Sequence, residues 1–201
     1  MAEWVRTGIG TAAAALDFDA ELMLRVKEGD GASFDVLLKK HRSSVVHFLY
    51  RMVQNHAVAE ELAQEVFLRV YRSRSTYEPP ARFTTWLFRI ATHLVLNALR
   101  DGKNERFQER LDDDTSDMPV RQVSDRRPSV EQSMVYQAKL QEIRHAIAAL
   151  PQKQRAAVLM HKYEEMEYSQ IAKVLCCSES AVKSLLFRAY ETLRARLAHM
   201  A

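Results

Sequence analysis

The stretch Tyr168–Leu197 constrains the fold of this chain more than any other part of the sequence. Apolar residues recur at helical spacing on both sides of a short break at Cys176–Ser178, which predicts two helices joined by a tight turn. Ser178 is predicted to cap the second helix, because a serine oxygen accepts hydrogen bonds from the free amides of the first turn. The second apolar stripe consists of Val182, Leu186, Ala189, Leu193 and Leu197. Two helices linked in this way form a helix-turn-helix candidate.

The outward face of the second helix combines hydroxyls, an aromatic ring and cations. Its members are Ser180, Lys183, Ser184, Phe187 and Arg188. Such groups near the start of a helix can contact phosphates and base edges in a major groove. The alternative is a helical hairpin whose outer face is only solvated, and the spacing alone leaves both interpretations open.

The turn of this motif contains the only two cysteines of the chain, Cys176 and Cys177. Cys176 stands where a glycine would ease the backbone conformation. Two adjacent cysteines cannot form a four-cysteine zinc site. We expect both to be buried as small apolar side chains, with a redox switch as the alternative.

The charge of the chain is unevenly distributed. The net charge of +3 is too small to indicate a partner by itself. Residues 1–33 carry three basic and six acidic residues (−3), 34–103 carry 11 and six (+5), 104–135 carry five and eight (−3), and 136–201 carry ten and six (+4). Two basic blocks are therefore separated by an acidic spacer.

Helical periodicity recurs through both basic blocks. The predicted helices include Asp19–Lys27 with Asp19 as its cap, a long one from Phe34 to Met52, Val58–Arg72 and Phe83–Arg100. Two more follow around Leu140–Leu150 and after Pro151, whereas Gly102–Ser133 has no periodicity and is typical of a linker. We therefore predict an all-α protein of two small helical bundles joined by a flexible acidic linker. The expected divisions are a flexible arm at 1–18, a helical domain at 19–103, the linker at 104–135 and a helix-turn-helix domain at 136–201.

The predicted helix Phe83–Arg100 interleaves aromatic and basic residues, with Arg89, His93, Asn97 and Arg100 off its apolar stripe. Bases of single-stranded nucleic acid stack on rings while cations hold phosphates, so this pattern suits a single strand. The alternative is that the aromatic residues belong to the core, and we expect Trp86 to be mainly a core anchor.

Several classes of function find no support in the residue pattern. No apolar run approaches the ~18–20 residues of a membrane span, so we expect a cytoplasmic protein. The seven histidines are scattered, and His41 is expected to be packed in the core. We find no nucleophile–base pair and no metal-ligand set, and therefore expect no enzyme, no cofactor and no metal.

Three segments together resemble the extracytoplasmic-function (group 4) sigma factors of bacterial RNA polymerase. AEELAQEVFLRVYR is similar to the helix with which these factors bind the clamp helices of the β′ subunit. FTTWLFRIATHLVLNALR is similar to the segment that reads and opens the −10 element, and YSQIAKVLCCSESAVKSLLFRAYETLR to the domain that reads the −35 element. The resemblance covers nearly all of Phe34–Leu197.

The resemblance implies partners and roles for particular residues. The polymerase-binding residues would be Glu61, Leu62, Gln64, Glu65, Phe67 and Leu68. Arg89, His93, Asn97 and Arg100 would contact the −10 element, and Ser180, Lys183, Ser184, Phe187 and Arg188 the −35 element. The acidic linker would pass through the polymerase cleft, with the β subunit as a further contact. An anti-sigma factor is a further implied partner, through which the protein could be held at a membrane.

The sequence departs from the family pattern at both DNA-contacting segments. Ala91-Thr92-His93 replaces a common Ala-Arg-Asn, and Asn97 replaces an aspartate, which implies an altered −10 preference. Ala181 and Leu185 replace a common threonine and arginine, so Lys183, Ser184 and Arg188 are expected to make more of the contacts.

Two other classes of protein remain open at this stage. A stand-alone helix-turn-helix regulator would bind duplex DNA tightly without polymerase, but would give the first bundle and the acidic segment no role. A helical adaptor that binds only proteins would show no dependence on DNA.

Overall fold

The computed structural model describes residues 17–79, 82–101 and 130–200. Its helices are α1 (Phe18–Lys27), α2 (Gly31–Val53), α3 (His56–Arg72), α4 (Phe83–Arg100), α5 (Val130–Ala148), α6 (Gln152–Tyr163), α7 (Tyr168–Leu175) and α8 (Glu179–Leu197). Two 3₁₀ turns lie at Arg74–Thr76 and Ala198–Met200. No strand occurs in these ranges, which confirms the predicted all-α class.

The predicted arm at 1–18 and the linker at 104–135 fall largely outside the described residues. At the boundary that is described, α5 begins at Val130 and therefore earlier than the predicted domain start at Tyr136. None of the described helices is long and apolar enough to cross a membrane.

Within the N-terminal group, α1–α4, short polar side chains cap α2 and α3. Asp30 caps α2 by accepting hydrogen bonds from the amides of Ala32 (2.9 Å) and Ser33 (3.2 Å). Asn55 caps α3 by accepting from the amide of Val58 at 3.1 Å. These caps satisfy amides that have no partner within the helix, so they set where each helix begins.

The prediction that Asp19 caps α1 is wrong. The N-cap is Asp17, and Asp19 is buried inside the group. Its carboxylate accepts hydrogen bonds from Nζ of Lys40 at 2.7 Å and pairs with Nε2 of His41 at 2.9 Å. Burial lowers the pKa of His41, because a cation loses solvation there, although Asp19 opposes the shift. His41 is thus a packed core histidine, as expected.

Aromatic side chains fill the space between α2 and α4. Phe48 and Phe88 meet edge to face with ring centroids 5.3 Å apart, and Tyr77 contacts Phe83 at 6.4 Å. Fully burying a side chain of this size stabilises the fold by about 1.5–3 kcal/mol. Burial also raises the pKa of Tyr77 to about 12. These contacts fix the rotation of α4 about its axis and so decide which of its residues face outward.

The C-terminal group, α5–α8, places the predicted helix-turn-helix on a small core. Ile171 of α7 and Val182, Leu186 and Ala189 of α8 are buried, as the apolar stripes predicted. A reciprocal capping box begins α7, with the amide of Glu167 donating to Oε1 of Gln170 at 2.8 Å.

The two helix groups pack against each other, which the sequence did not predict. Helix α4 contacts α7, and α2 contacts α6, so the buried apolar residues of both groups form one cluster. The Arg155 guanidinium on α6 donates to the carbonyl of Met52 on α2 at 2.6 Å. The described helices of both groups thus share one hydrophobic core.

Candidate nucleic-acid interface

The turn between α7 and α8 contains a residue in the left-handed backbone conformation. Cys176 has φ 52° and ψ 51°, the left-handed region in which a glycine would be less strained. The amide of Cys177 donates to the carbonyl of Ala172 at 3.0 Å, which closes the end of α7. The expectation that both cysteines are buried is wrong, since Cys176 is exposed and Cys177 is half-buried. Cys176 lies in the wall of an open cavity beside α4, so its side chain stays accessible to solvent.

The N-terminal half of α8 presents all five predicted side chains to solvent. Ser178 caps the helix by accepting from the amide of Ala181 at 3.2 Å. Ser180, Lys183, Ser184, Phe187 and Arg188 are all exposed, Phe187 by 68%. Neither Lys183 nor Arg188 forms an ion pair with a described residue. Exposed cations that form no such pair are available to an external polyanion.

The predicted polar face of α4 also points to solvent, but not all of its side chains are fully exposed. Arg89, His93 and Arg100 are exposed and Asn97 is half-buried. The amide nitrogen of Asn97 lies 3.3 Å from Nδ1 of His93, so the two side chains form one polar unit a single turn apart. Arg100 pairs with its neighbour Asp101 at 3.2 Å.

Trp86 is half-buried at the start of this face. Its ring lies 5.3 Å from that of Tyr77 and 6.2 Å from that of Phe83, and it packs on the core, in line with the expected anchoring role. Its remaining surface lines a cavity of about 750 Å³ between α4 and α7.

This cavity is basic and partly apolar. Its cations are Arg69, Arg72, Arg89 and Lys153, and no acidic side chain lines it. His93 lies on the α4 wall, and Leu175 and Cys176 lie on the α7 wall. A positive cavity with an indole at its edge suits phosphate and base together.

Helix α3 carries the third predicted surface. Glu61, Gln64 and Leu68 are exposed, Leu68 by 49%, while Leu62 is half-buried. Glu65 pairs with Arg69 one turn later at 2.7 Å. Phe67 is only 6% exposed and belongs to the core. In this conformation Phe67 packs in the core and helps to hold α3 in place, and its contact with polymerase stays a prediction.

The sequence reasoning did not include Tyr71, which extends this surface. Tyr71 is 41% exposed and its ring lies 5.1 Å from that of Phe34, with the Arg74 guanidinium 4.5 Å from its centroid. The spacing Glu61, Gln64, Leu68, Tyr71 places the four residues on one face of α3. Extending that spacing by one more turn would have found Tyr71 from the sequence.

Two basic helical faces and one acidic–apolar face lie on the two packed helix groups. The basic faces suit a polyanion and the acidic–apolar face suits a protein partner. No group of three or more potential metal ligands occurs among the described residues.

Comparison with known proteins identifies the family. Residues 37–105 match the family model for sigma-70 region 2, and residues 140–193 match that for sigma-70 region 4. The RNA polymerase sigma factor CarQ of Myxococcus xanthus is 34% identical over 182 residues, covering 89% of this chain and 97% of CarQ. The ECF RNA polymerase sigma factor SigW of Bacillus subtilis is 28% identical over 174 residues, covering 86% of this chain and 93% of SigW.

Solved structures share the fold. CnrH, solved in complex with the cytosolic domain of CnrY, has a TM-score of 0.68 at 18% identity and covers 92% of this chain and 100% of that chain. The sigma factor RpoE of Bartonella quintana, solved with the anti-sigma factor NepR, has a TM-score of 0.61 at 18% identity. The match covers 82% of this chain and 96% of that chain. The chain belongs to the sigma-70 family, as a sigma factor of the extracytoplasmic-function type.

Proposed function

We propose that this chain directs core RNA polymerase to specific promoters through three separate surfaces and assists the opening of promoter DNA. The observation that supports the proposal most strongly is the placement of two outward basic faces on α4 and α8. Each face lies in a different sigma-70 region, and each presents exposed cations. A protein that reads only one DNA element would need one such face.

The α3 surface is the proposed contact with polymerase. It comprises Glu61, Gln64, Leu68 and Tyr71, with Leu62 and Glu65 at its edge. Exposed apolar side chains beside carboxylates suit a protein partner, because the apolar area drives association and the charges set its specificity. The β′ clamp helices are the proposed partner, by resemblance to the family.

Helix α4 is the proposed −10 element reader. His93 and Asn97 would bind the exposed edge of an extruded base, and Arg89 and Arg100 would hold the backbone. Taking a base out of the stack costs a few kcal/mol, which hydrogen bonds to its edge and stacking on a ring can offset.

Helix α8 is the proposed −35 element reader. Lys183 and Arg188 would contact phosphates or base edges from the major groove, with Ser180, Ser184 and Phe187 beside them. The capped helix N-terminus next to these side chains favours a phosphate electrostatically.

The remaining features follow from this role. We propose that the chain makes and breaks no bond itself and so is not an enzyme, and that it works in the cytoplasm, where polymerase and promoter DNA are. An anti-sigma factor is a proposed further partner, since the fold relative from Bartonella quintana was solved with one. The acidic segment between the two sigma-70 regions is proposed to lie in the polymerase cleft, where its charge resembles that of nucleic acid.

Sequencing of transcript starts tests the proposal directly. Purified protein is added to core polymerase and genomic DNA, and the start sites are compared with those of core polymerase alone. We expect a small set of new starts that share two upstream sequence elements. Starts without a shared element would contradict the proposal, and duplex binding of equal strength without polymerase would indicate a stand-alone regulator instead.

A further inference from the structure

The basic cavity beside α4 is lined by residues from both helix groups. Arg72 at the end of α3 and Arg89 of α4 lie on one side, and Lys153 of α6 and Leu175 of α7 lie on the other. Among these four residues, only Arg89 belongs to the proposed −10 reading face. The cavity is therefore a concave site of its own, assembled from α3, α4, α6 and α7.

The charge of this cavity is not balanced by the protein. Arg72, Arg89 and Lys153 are exposed and form no ion pair with a described residue. Arg69 also lines the cavity and pairs with Glu65, but no acidic side chain belongs to the lining itself. A cleft lined by charges of one sign raises the local concentration of the opposite ion. The electrostatics of the cavity therefore favour a ligand with several negative charges.

The apolar part of the lining suits a flat ring. Trp86 is half-buried, and Ile90, Leu96 and Leu175 are half-buried residues that line the same cavity. The face of an indole ring can stack on a nucleobase, and aliphatic side chains favour the burial of an apolar ring surface. A purely inorganic anion would make no use of these side chains, so the ligand that fits the whole cavity has both charge and a ring.

A buried hydroxyl at the cavity also lacks a partner. Thr92 lines the cavity and is 2% exposed, and its Oγ1 has no hydrogen-bond partner in the part of the chain that the structure describes. Buried polar groups are nearly always hydrogen-bonded, and an orphaned one is explained where a ligand or a water completes the site. Because a helical threonine has two accessible χ1 rotamers, this hydroxyl can turn when a ligand enters.

The size of the cavity suits a small molecule. Its volume of about 750 Å³ lies within the range of roughly 300–1,000 Å³ typical of small-molecule sites. We propose that the cavity binds a free nucleoside diphosphate, with the phosphates on Arg72, Arg89 and Lys153 and the base along Trp86. Arginine binds phosphate oxygens through two parallel N–H groups, and lysine adds a point charge. The chain would thus have a small-molecule ligand in addition to its proposed polymerase and promoter contacts.

Four probes separate the parts of this ligand: ADP, adenosine, inorganic pyrophosphate and a single-stranded DNA tetranucleotide. Each is titrated into the free chain in buffer without divalent cations, and the fluorescence of Trp86 is measured. The substitution Trp4→Phe leaves Trp86 as the only tryptophan. We expect ADP to bind about tenfold or more tightly than adenosine or pyrophosphate, because only ADP combines charged hydrogen bonds with ring stacking.

A pair of charge variants locates the site. Arg72→Gln with Lys153→Gln removes two cavity cations and leaves Arg89 of the proposed −10 face unchanged. Arg25→Gln with Lys162→Gln is the matched control, because both residues are exposed, form no ion pair with a described residue and lie outside the cavity lining. We expect the cavity variant to bind ADP about tenfold or more weakly, since each lost hydrogen bond to a phosphate is charge-assisted. The control should bind ADP like the wild-type chain.

The proposal is overturned if ADP leaves the fluorescence of Trp86 unchanged, or if ADP binds no more tightly than pyrophosphate. An equal loss in the control would show that net charge alone attracts the ligand. Tighter binding of the tetranucleotide than of ADP would assign the cavity to a DNA strand instead. Circular dichroism of each variant checks that the helices are intact. These results are independent of the proposed function, which the sequencing of transcript starts tests separately.

Discussion

The two basic faces of this sigma factor differ in what surrounds them. On α8 the cations lie in the N-terminal half of the helix and are exposed, and Phe187 beside them is exposed by 68%. On α4, Arg89 borders a cavity, His93 is joined to Asn97, and Trp86 packs on the core. This difference indicates that the exposed face of α8 suits duplex DNA, whereas the role proposed for α4 also requires an extruded base.

The largest expected effect is a loss of polymerase binding, on which the proposed roles of both basic faces depend. Gln64→Lys combined with Glu65→Lys places cations on the proposed polymerase contact, and like charges across an interface can cost several kcal/mol. The lost Glu65–Arg69 pair costs the helix only about 0.3–0.5 kcal/mol. We expect co-purification with core polymerase to be lost while circular dichroism shows unchanged helicity.

A matched control changes charge by at least as much elsewhere on the chain. Glu21→Lys with Glu28→Lys alters two exposed carboxylates at α1, and polymerase binding should be kept. Equal loss in both variants would mean that net charge, and not the α3 surface, governs the interaction.

The second largest expected effect is on promoter binding through α8. Arg188→Ala is expected to cost about 1–3 kcal/mol in promoter binding by holoenzyme and to relax specificity at one position if the guanidinium reads a guanine. Lys183→Ala should weaken binding to all sequences alike and reduce its salt dependence if the ammonium contacts only phosphate. Binding is measured over a salt series on wild-type and substituted promoters.

Arg194→Ala provides the comparison for both changes, since this exposed arginine lies nearer the end of α8. It should leave promoter binding unchanged. If Lys183 and Arg188 variants also bind normally at moderate salt, the reading face of α8 has been assigned to the wrong residues.

A smaller effect is expected on α4. Asn97→Ala removes one proposed hydrogen bond to an extruded base, worth about 1 kcal/mol or about five- to tenfold in the rate of opening. Polymerase binding and the closed complex should be nearly normal. Permanganate reactivity of unpaired thymines measures the opening.

A premelted bubble template separates opening from binding in this experiment. The bubble should restore much of the lost transcription, because the base is already unpaired. An equal defect on duplex and bubble templates would show that Asn97 acts before or after opening. It would contradict the expectation that α4, unlike α8, acts on an extruded base.

The smallest expected effect is a pH dependence of the stability of the folded chain. Burial raises the pKa of Glu164 to about 7, although Arg51 and the hydrogen bond from Ser44 oppose the rise. The folded chain then binds a proton that the unfolded chain, with a carboxyl near its ordinary value of 4.5, releases. Folding is therefore favoured at low pH and loses this contribution as the pH rises through about 7.

The measured quantity is the urea midpoint of unfolding of the free chain between about pH 5.5 and 8, followed by circular dichroism. We expect a small fall of this midpoint toward high pH, because solvent screens a partly exposed carboxylate. Glu164→Gln should abolish the fall, whereas Glu165→Gln, a change at the adjacent exposed residue, should not. A pH profile that Glu164→Gln leaves intact would assign the titration to another group.

The sequence alone determined the features that depend on local interactions. Helical periodicity predicted the all-α fold, and the apolar stripe of Val182, Leu186 and Ala189 predicted which face of α8 is buried. The strained position of Cys176 and the cap at Ser178 were also readable. Each depends on residues within about one turn, so the spacing of side chains along the chain contains the necessary information.

Only the tertiary structure decided the features that depend on distant partners. Asp19 resembles a cap in sequence, yet it is buried against Lys40 and His41, and Phe67 is held in the core rather than on the polymerase face. The bridge from Arg155 to the Met52 carbonyl joins residues 103 positions apart. Periodicity reports that a side chain faces inward or outward on its own helix, but not which other helix lies opposite. The packing of the two helix groups against each other, and with it the difference between α4 and α8, therefore depends on contacts between residues far apart in the sequence. Helical periodicity does not predict such contacts.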